Sequence, residues 1–279
     1  MDLYKLDNTI QEYSWGSVTD IPNLLGRSNP ESTPQAELWM GTHPKAPSNV
    51  VVHGQTTSLP EVISKNPGGI LGAAAAERYG GKLPFLFKVL AAGKPLSIQS
   101  HPNLEQAKDG FRRENERGIP LDAPHRNYQD ANHKPEIICA LTSFWAMCGF
   151  RPVEEIVENF SPFGATILRE PLDALRRGQS SAALRVFFSF LLGLEPGQVA
   201  SLADRACEVA AQEKGDRSDW VLELNRLFPG DIGVICPLLL NVYHLKPGQA
   251  VYLDAGELHA YLSGLGIELM ANSDNVLRG

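Results

Sequence analysis

Two polar side chains in the segment SIQSHP, Gln99 and His101, stand two residues apart. If the segment is extended, both leave the same face, so an amide oxygen and an imidazole can reach one ion. The pattern fits equally well a polar pair hydrogen-bonded at the rim of a barrel. A second segment, NYQDANHKPE over residues 127–136, crowds amides, acids, a histidine and a lysine ahead of the apolar run EIICAL. Pro135 stiffens that approach and fixes where Glu136 enters the run. A carboxylate there is costly to bury unless a cation accompanies it. His133 and Lys134 by themselves could equally belong to a solvated loop. The segment AGELHAY adds His259. Two imidazoles, one carboxylate and one amide oxygen form a four-donor set suited to a single zinc ion, with room for water or substrate; iron, manganese and cobalt accept the same donors.

The last stretch, GIELMANSDNVLRG, brings Glu268, Asp274 and Arg278 to the end of the sequence. A guanidinium is permanently charged and offers planar donors, so Arg278 would suit a phosphate or a negatively charged intermediate. A solvated terminal arginine is the plainer alternative. His43, His53, His125 and His244 read as satisfied core or surface histidines. Metal-assisted hydrolysis has no HExxH segment to carry its water-activating base.

These side chains need a scaffold that brings distant segments together. Up to about residue 151 the sequence runs as short apolar stretches broken by Gly and Pro, such as LPFLFKVL, KPEIICAL and SFWAMCGF, which predict β-structure. Helical patches interrupt it at residues 71–79 and 104–116. After Pro152, VEEIVENF, EPLDALRRG, SAALRVFFSFLLGL and QVASLADRACEVAAQEKG have helical spacing and predict four or five helices. Strand character returns at Asp231 with IGVICPLLLNVYHL, a KPGQ turn and AVYLDAGELHAYL, which predicts a hairpin delivering His259. No GxGxxG or GxxxxGK[ST] segment points to a parallel nucleotide-binding sheet. The predicted fold is mainly β with α, a cupin (jelly-roll) β-barrel with an inserted α-helical domain. The barrel takes residues 1–152 plus 230–279 and the helical domain residues 153–229.

The whole chain sets bounds on partners. Its 279 residues are 43% hydrophobic, enough for a sizeable core, and its net charge of −7 comes without a basic run, which argues against nucleic acid. No basic-then-apolar leader and no stretch of about 18 apolar residues predicts secretion or membrane insertion. The four cysteines, Cys139, Cys148, Cys207 and Cys236, are dispersed in apolar surroundings and read as buried small hydrophobes of a reducing cytoplasm rather than as thiolate ligands.

Taken together, QEYSWGS, AELWMGTHPKAPS, LPFLFKVL, PLSIQSHP, NYQDANHKPE and HAYLSGLGIELMANSDNVLRG resemble the type I phosphomannose isomerases, also called mannose-6-phosphate isomerases. The resemblance covers nearly the whole chain. It implies a zinc-dependent cupin that interconverts mannose 6-phosphate and fructose 6-phosphate through a cis-enediol, a cytoplasmic enzyme of mannose metabolism acting as monomer or homodimer. By position, Gln99, His101, Glu136 and His259 match the family's zinc ligands, one ion per chain. Lys88 and Ser97 match substrate-pocket positions, with Ser97 toward the phosphate and Glu268 and Asp274 beside the substrate. Arg278 matches an arginine of catalysis or substrate binding, and Lys134, or His133 beside it, is the candidate acid/base. The family's chain continues past this arginine into a second cupin barrel. A C-terminally truncated member is therefore expected, with a non-catalytic metal-binding cupin, a sugar-phosphate sensor or pseudoenzyme, as the alternative function.

Overall fold

The computed structural model describes residues 4–52, 54–164 and 166–278. Among them the strands are β1 (Leu6–Asp7), β2 (Thr9–Gln11), β3 (Glu37–Gly41), β4 (Asn49–Val52), β5 (Gln55–Ser58), β6 (Phe85–Ala92), β7 (Gln99–Ser100), β8 (Glu136–Ala140), β9 (Phe144–Phe150), β10 (Leu240–Leu245), β11 (Ala250–Leu253), β12 (His259–Ala271) and β13 (Leu277–Arg278). The helices are α1 (Asp20–Leu25), α2 (Leu59–Lys65), α3 (Pro67–Leu71), α4 (Ala73–Arg78), α5 (Leu104–Glu116), α6 (Val153–Phe160), α7 (Thr166–Gly178), α8 (Ser181–Leu192), α9 (Pro196–Ala210), α10 (Asp216–Leu227) and α11 (Cys236–Leu239). The predicted patch at 104–116 is α5, whose start is fixed by a reciprocal capping box between Asn103 and Gln106. None of these helices is by itself long and apolar enough to cross a membrane.

Strand β12 organises the site because it belongs to two antiparallel layers. Its first half pairs with β9 and β7, and its second half with β6 and β8. The bend lies at Gly264, where φ is +118° and a Cβ would stand 2.5 Å from the Ser143 carbonyl oxygen. One layer runs β11-β8-β12-β6-β3-β2 and the other β10-β9-β12-β7-β13, with β7 and β13 closing its end. The two form a cupin-type jelly roll. Inward positions of β8 alternate with outward ones, so Glu136, Ile138 and Ala140 are buried while Ile137 is exposed. The interior is filled by Leu90, Ile138, Phe144, Leu253 and Tyr261.

The helical stretch packs on the outer face of the β9–β12 layer. Met147, Ala260 and Leu262 from the strands share one core with Ile156 and Phe160 of α6, Phe187 of α8 and Leu202 of α9. Two sequence expectations need correction. The stretch from Asp231 does not return to strand at once: Ile232–Ile235 is a 3₁₀ turn and Cys236–Leu239 is α11. The Asp231 side chain caps the turn at Gly233 N, and Pro237 fits the first turn of a helix, so local capping outweighs the apolar run. Nor do β10 and β11 form a hairpin. β10 pairs with β9 and β11 with β8, so Lys246–Gln249 carries the chain between layers. That turn is held by Ala140, whose N–H donates to the Gln249 carbonyl and whose carbonyl accepts from Gly248 N–H.

Candidate metal centre

Sheet register assembles the donors. His259 opens β12 directly opposite Gln99 on β7, and Gln99 is opposite Arg278 on β13. Directly opposed residues share a face, so these three line one row across three strands. His101 follows Gln99 by two residues, and Glu136 opens β8. His101, Glu136 and His259 are 2%, 2% and 1% exposed. His101 Nε2 lies 3.4 Å from Glu136 Oε1, and His259 Nε2 lies 3.5 Å from Glu136 Oε2. One ligand atom from each of the three lies within 4.8 Å of the others.

The outer ring nitrogens explain why the inner ones face Glu136. His101 Nδ1 is 2.8 Å from the Asn275 carbonyl oxygen and His259 Nδ1 is 2.9 Å from that of Glu257. A carbonyl only accepts, so each Nδ1 carries the proton and each Nε2 presents a lone pair inward. Burial lowers the pKa of His101, which keeps it neutral. Burial alone would raise Glu136, but Lys134 and the two histidines outweigh it and hold the carboxyl well below the usual range. His101 Nε2, Glu136 Oε2 and His259 Nε2 are buried and have no hydrogen-bond partner among the described residues. Orphaned lone pairs converging on one point are unfavourable without a cation, so the donor set fits a divalent metal.

Around this centre the other predicted residues fall into groups. Lys134 is buried with Nζ 3.0 Å from Glu136 Oε1. His133 is half-buried beside it. Lys88 and Glu268 are opposed across β6 and β12, and Lys88 Nζ is 3.1 Å from Glu268 Oε2. Burial raises the Glu268 carboxyl, whereas for Lys88 burial is outweighed by Glu37 and Glu268, which push its ammonium upward. Asp274 binds Lys45 Nζ at 3.0 Å and His43 Nε2 at 3.4 Å. Burial alone would raise its carboxyl, yet these two partners hold it at about 2. Arg278 is exposed. Ser97 is also exposed and lines a cavity of about 190 Å³ whose other walls include Met147, Phe188 and Leu224, apart from the histidine pair.

Several residues of the site escape a reading of sequence alone. Asn275 is fully buried; its Nδ2 donates to the carbonyls of Asp130 and Asn132 and its Oδ1 accepts from the N–H groups of Gln129 and Asp130, which clips the 127–136 segment to the β12–β13 connection that holds His101. His43, read as an ordinary core or surface histidine, is buried against Trp39 and reaches Asp274. Glu37 and Trp39 join Lys88. The signal for Glu37 was its two-residue spacing from Trp39 on a strand. Of the remaining histidines, His244 stacks on Trp145 at 4.0 Å, His125 is exposed, and His53 lies outside the described residues.

A jelly roll with two imidazoles and a carboxylate turned into its interior is a metal-binding cupin. The family model of the phosphomannose isomerase type I catalytic domain matches residues 3–153. Mannose-6-phosphate isomerase of Salmonella typhimurium is 44% identical over 278 residues, 99% of this chain and 70% of that protein. The human protein of that name is 37% identical over 301 residues, 99% of this chain and 69% of its own length. A zinc-bound crystal structure of mannose 6-phosphate isomerase superposes with a TM-score of 0.92 at 43% identity, covering 99% of this chain and 69% of that one. The Salmonella typhimurium enzyme bound to substrate and zinc gives 0.91 at 43% identity, with the same coverage. The chain belongs to the type I mannose-6-phosphate isomerase family.

Proposed function

We propose that this chain is a zinc-dependent aldose-ketose isomerase that interconverts mannose 6-phosphate and fructose 6-phosphate. The observation that carries this reading is the trio of buried, unpartnered donor atoms on His101, Glu136 and His259, with the Lys134 ammonium on the same carboxylate. These three side chains, with Gln99 in the adjoining row, would hold one zinc ion. Zinc, when bound, supplies Lewis acidity toward the sugar oxygens.

The chain's own residues must move a proton between C2 and C1 while the two oxygens exchange carbonyl and hydroxyl character through a cis-enediol. Lys134, held at Glu136 in a water-poor interior, is the acid/base in this reading, with His133 beside it as the alternative. Arg278, opposite Gln99, stabilises charge developing on the enediolate. Lys88, Glu268 and Asp274 hold the sugar phosphate, with Ser97 toward the phosphate group. A division into a barrel of residues 1–152 plus 230–279 and a helical domain of residues 153–229 places every one of these residues on the barrel. Four free cysteines suit a reducing, cytoplasmic setting, and convergence of His101, Glu136 and His259 within one chain suits a monomer or homodimer.

Metal analysis combined with a coupled assay on mannose 6-phosphate tests the proposal. One zinc per chain and turnover abolished by chelation are expected. Metal-replete protein without turnover would make the chain a non-catalytic metal-binding cupin. A Lys134→Ala enzyme that still exchanged the C2 proton with solvent at the parent rate would remove Lys134 from the acid/base role.

A further inference from the structure

Lys88 is held by more than the substrate-side carboxylate. Its ammonium lies between two layers of interaction, Glu268 Oε2 at 3.1 Å from β12 and Glu37 Oε1 at 3.3 Å from β3. The second oxygen of Glu37 accepts the Trp39 indole N–H at 2.6 Å, and the ammonium also sits 5.4 Å from the Trp39 ring centroid. Trp39 is the residue opposite Lys88 in the β3–β6 ladder, and Glu37 precedes it by two on the same strand face. All four side chains are buried.

A single carboxylate would neutralise one buried ammonium, so the second needs a reason. The Trp39 donor ties one oxygen of Glu37, while the other faces Lys88. Glu268 lies on β12, the strand that also carries His259, with the buried Tyr261 phenol beside it. When Glu268 turns to a sugar hydroxyl, an ammonium held by Glu268 alone would follow it or collapse onto it. Held by Glu37, it stays in place. We propose that Glu37, fixed by Trp39, is the positioning residue that sets the Lys88 ammonium in the barrel and leaves Glu268 free for the substrate. This rests on the isomerase reading above.

The test uses the full zinc-loaded chain. Glu37→Gln keeps the size and an acceptor for Trp39 but removes the charge facing Lys88. It should lower kcat per bound zinc about 10- to 100-fold, because misplacing a group by about an ångström near reacting atoms has that effect. KM for mannose 6-phosphate should stay within about threefold, and zinc content should be unchanged. A merely structural role would reduce the amount of folded protein and leave kcat per bound zinc alone. Trp39→Phe, which frees the second oxygen of Glu37, should show a smaller loss of about 3- to 10-fold in kcat, and it decides the matter if Glu37→Gln does not fold. Variants with kcat within about twofold of the parent, or with only KM raised, overturn the proposal. Zinc-loaded parent protein without turnover would instead remove the isomerase reading, and this inference with it.

Discussion

At the metal centre each histidine uses its outer nitrogen on a backbone carbonyl, and the Asn275 carbonyl is placed by a buried amide that bonds four backbone groups of the 127–136 segment. Asn275→Ala should therefore cost about 1–3 kcal/mol in stability, since it leaves buried backbone groups unpaired. It should also weaken zinc binding about 10- to 100-fold by loosening His101, measured by chelator competition. Unchanged zinc affinity would show that the clip does not orient the ring. Asp274 gives a pH signature. Its folded carboxyl is held down to about 2 from an ordinary 3.8, against the effect of burial, by His43 and Lys45. A depressed acid adds stability above its unfolded value and loses it as pH falls through the folded one. The advantage of the parent over Asp274→Asn in urea midpoint should thus be full near about pH 6 and shrink steadily from about pH 4 downward. A gap independent of pH would remove the ion pairs from the account.

At the scale of elements, β12 carries His259 on one side of its bend and Glu268 on the other, so Gly264 sets the relation between the donor row and the Lys88 pair. Gly264→Ala meets both a positive φ and the Ser143 carbonyl at 2.5 Å. It should destabilise the fold by about 2–4 kcal/mol in thermal or urea unfolding. A loss under about 0.5 kcal/mol would mean that the bend lies elsewhere. His101, Glu136 and His259 were legible because donor types cluster in SIQSHP, NHKPE and ELHAY, and the helices because their apolar residues recur at helical spacing. Pairing was not legible. The KPGQ turn looks like a hairpin in one dimension, but each flanking strand finds a partner in a different layer. For the same reason Glu37, Trp39 and His43 went unread: they reach the site through the β3–β6 ladder and a returning loop, and the two-residue spacing of Glu37 and Trp39 gives a shared face but not the strand that faces it.

At the scale of the whole molecule, the helices and the barrel share one hydrophobic core, because Met147, Ala260 and Leu262 pack with Ile156, Phe187 and Leu202. Two units divided by such a core cannot lose one partner without exposing the other's apolar face, so they should unfold in one cooperative step. The metal site lies on the opposite, inward face of the same layer, in which His259 and Ala260 are successive residues of β12. Zinc binds the assembled donors and not the unfolded chain, so free zinc at about 100 times its dissociation constant adds about 2.7 kcal/mol. For a chain of this size that corresponds to a Tm shift of about 4–5 °C. The shift should appear in the helical circular dichroism signal as fully as in tryptophan fluorescence, although no donor is on a helix. Chelated and zinc-loaded protein melting together would refute metal binding by the folded state. A helical signal that melts separately and ignores zinc would show instead that residues 153–229 form an independent domain, and that the shared core does not couple them.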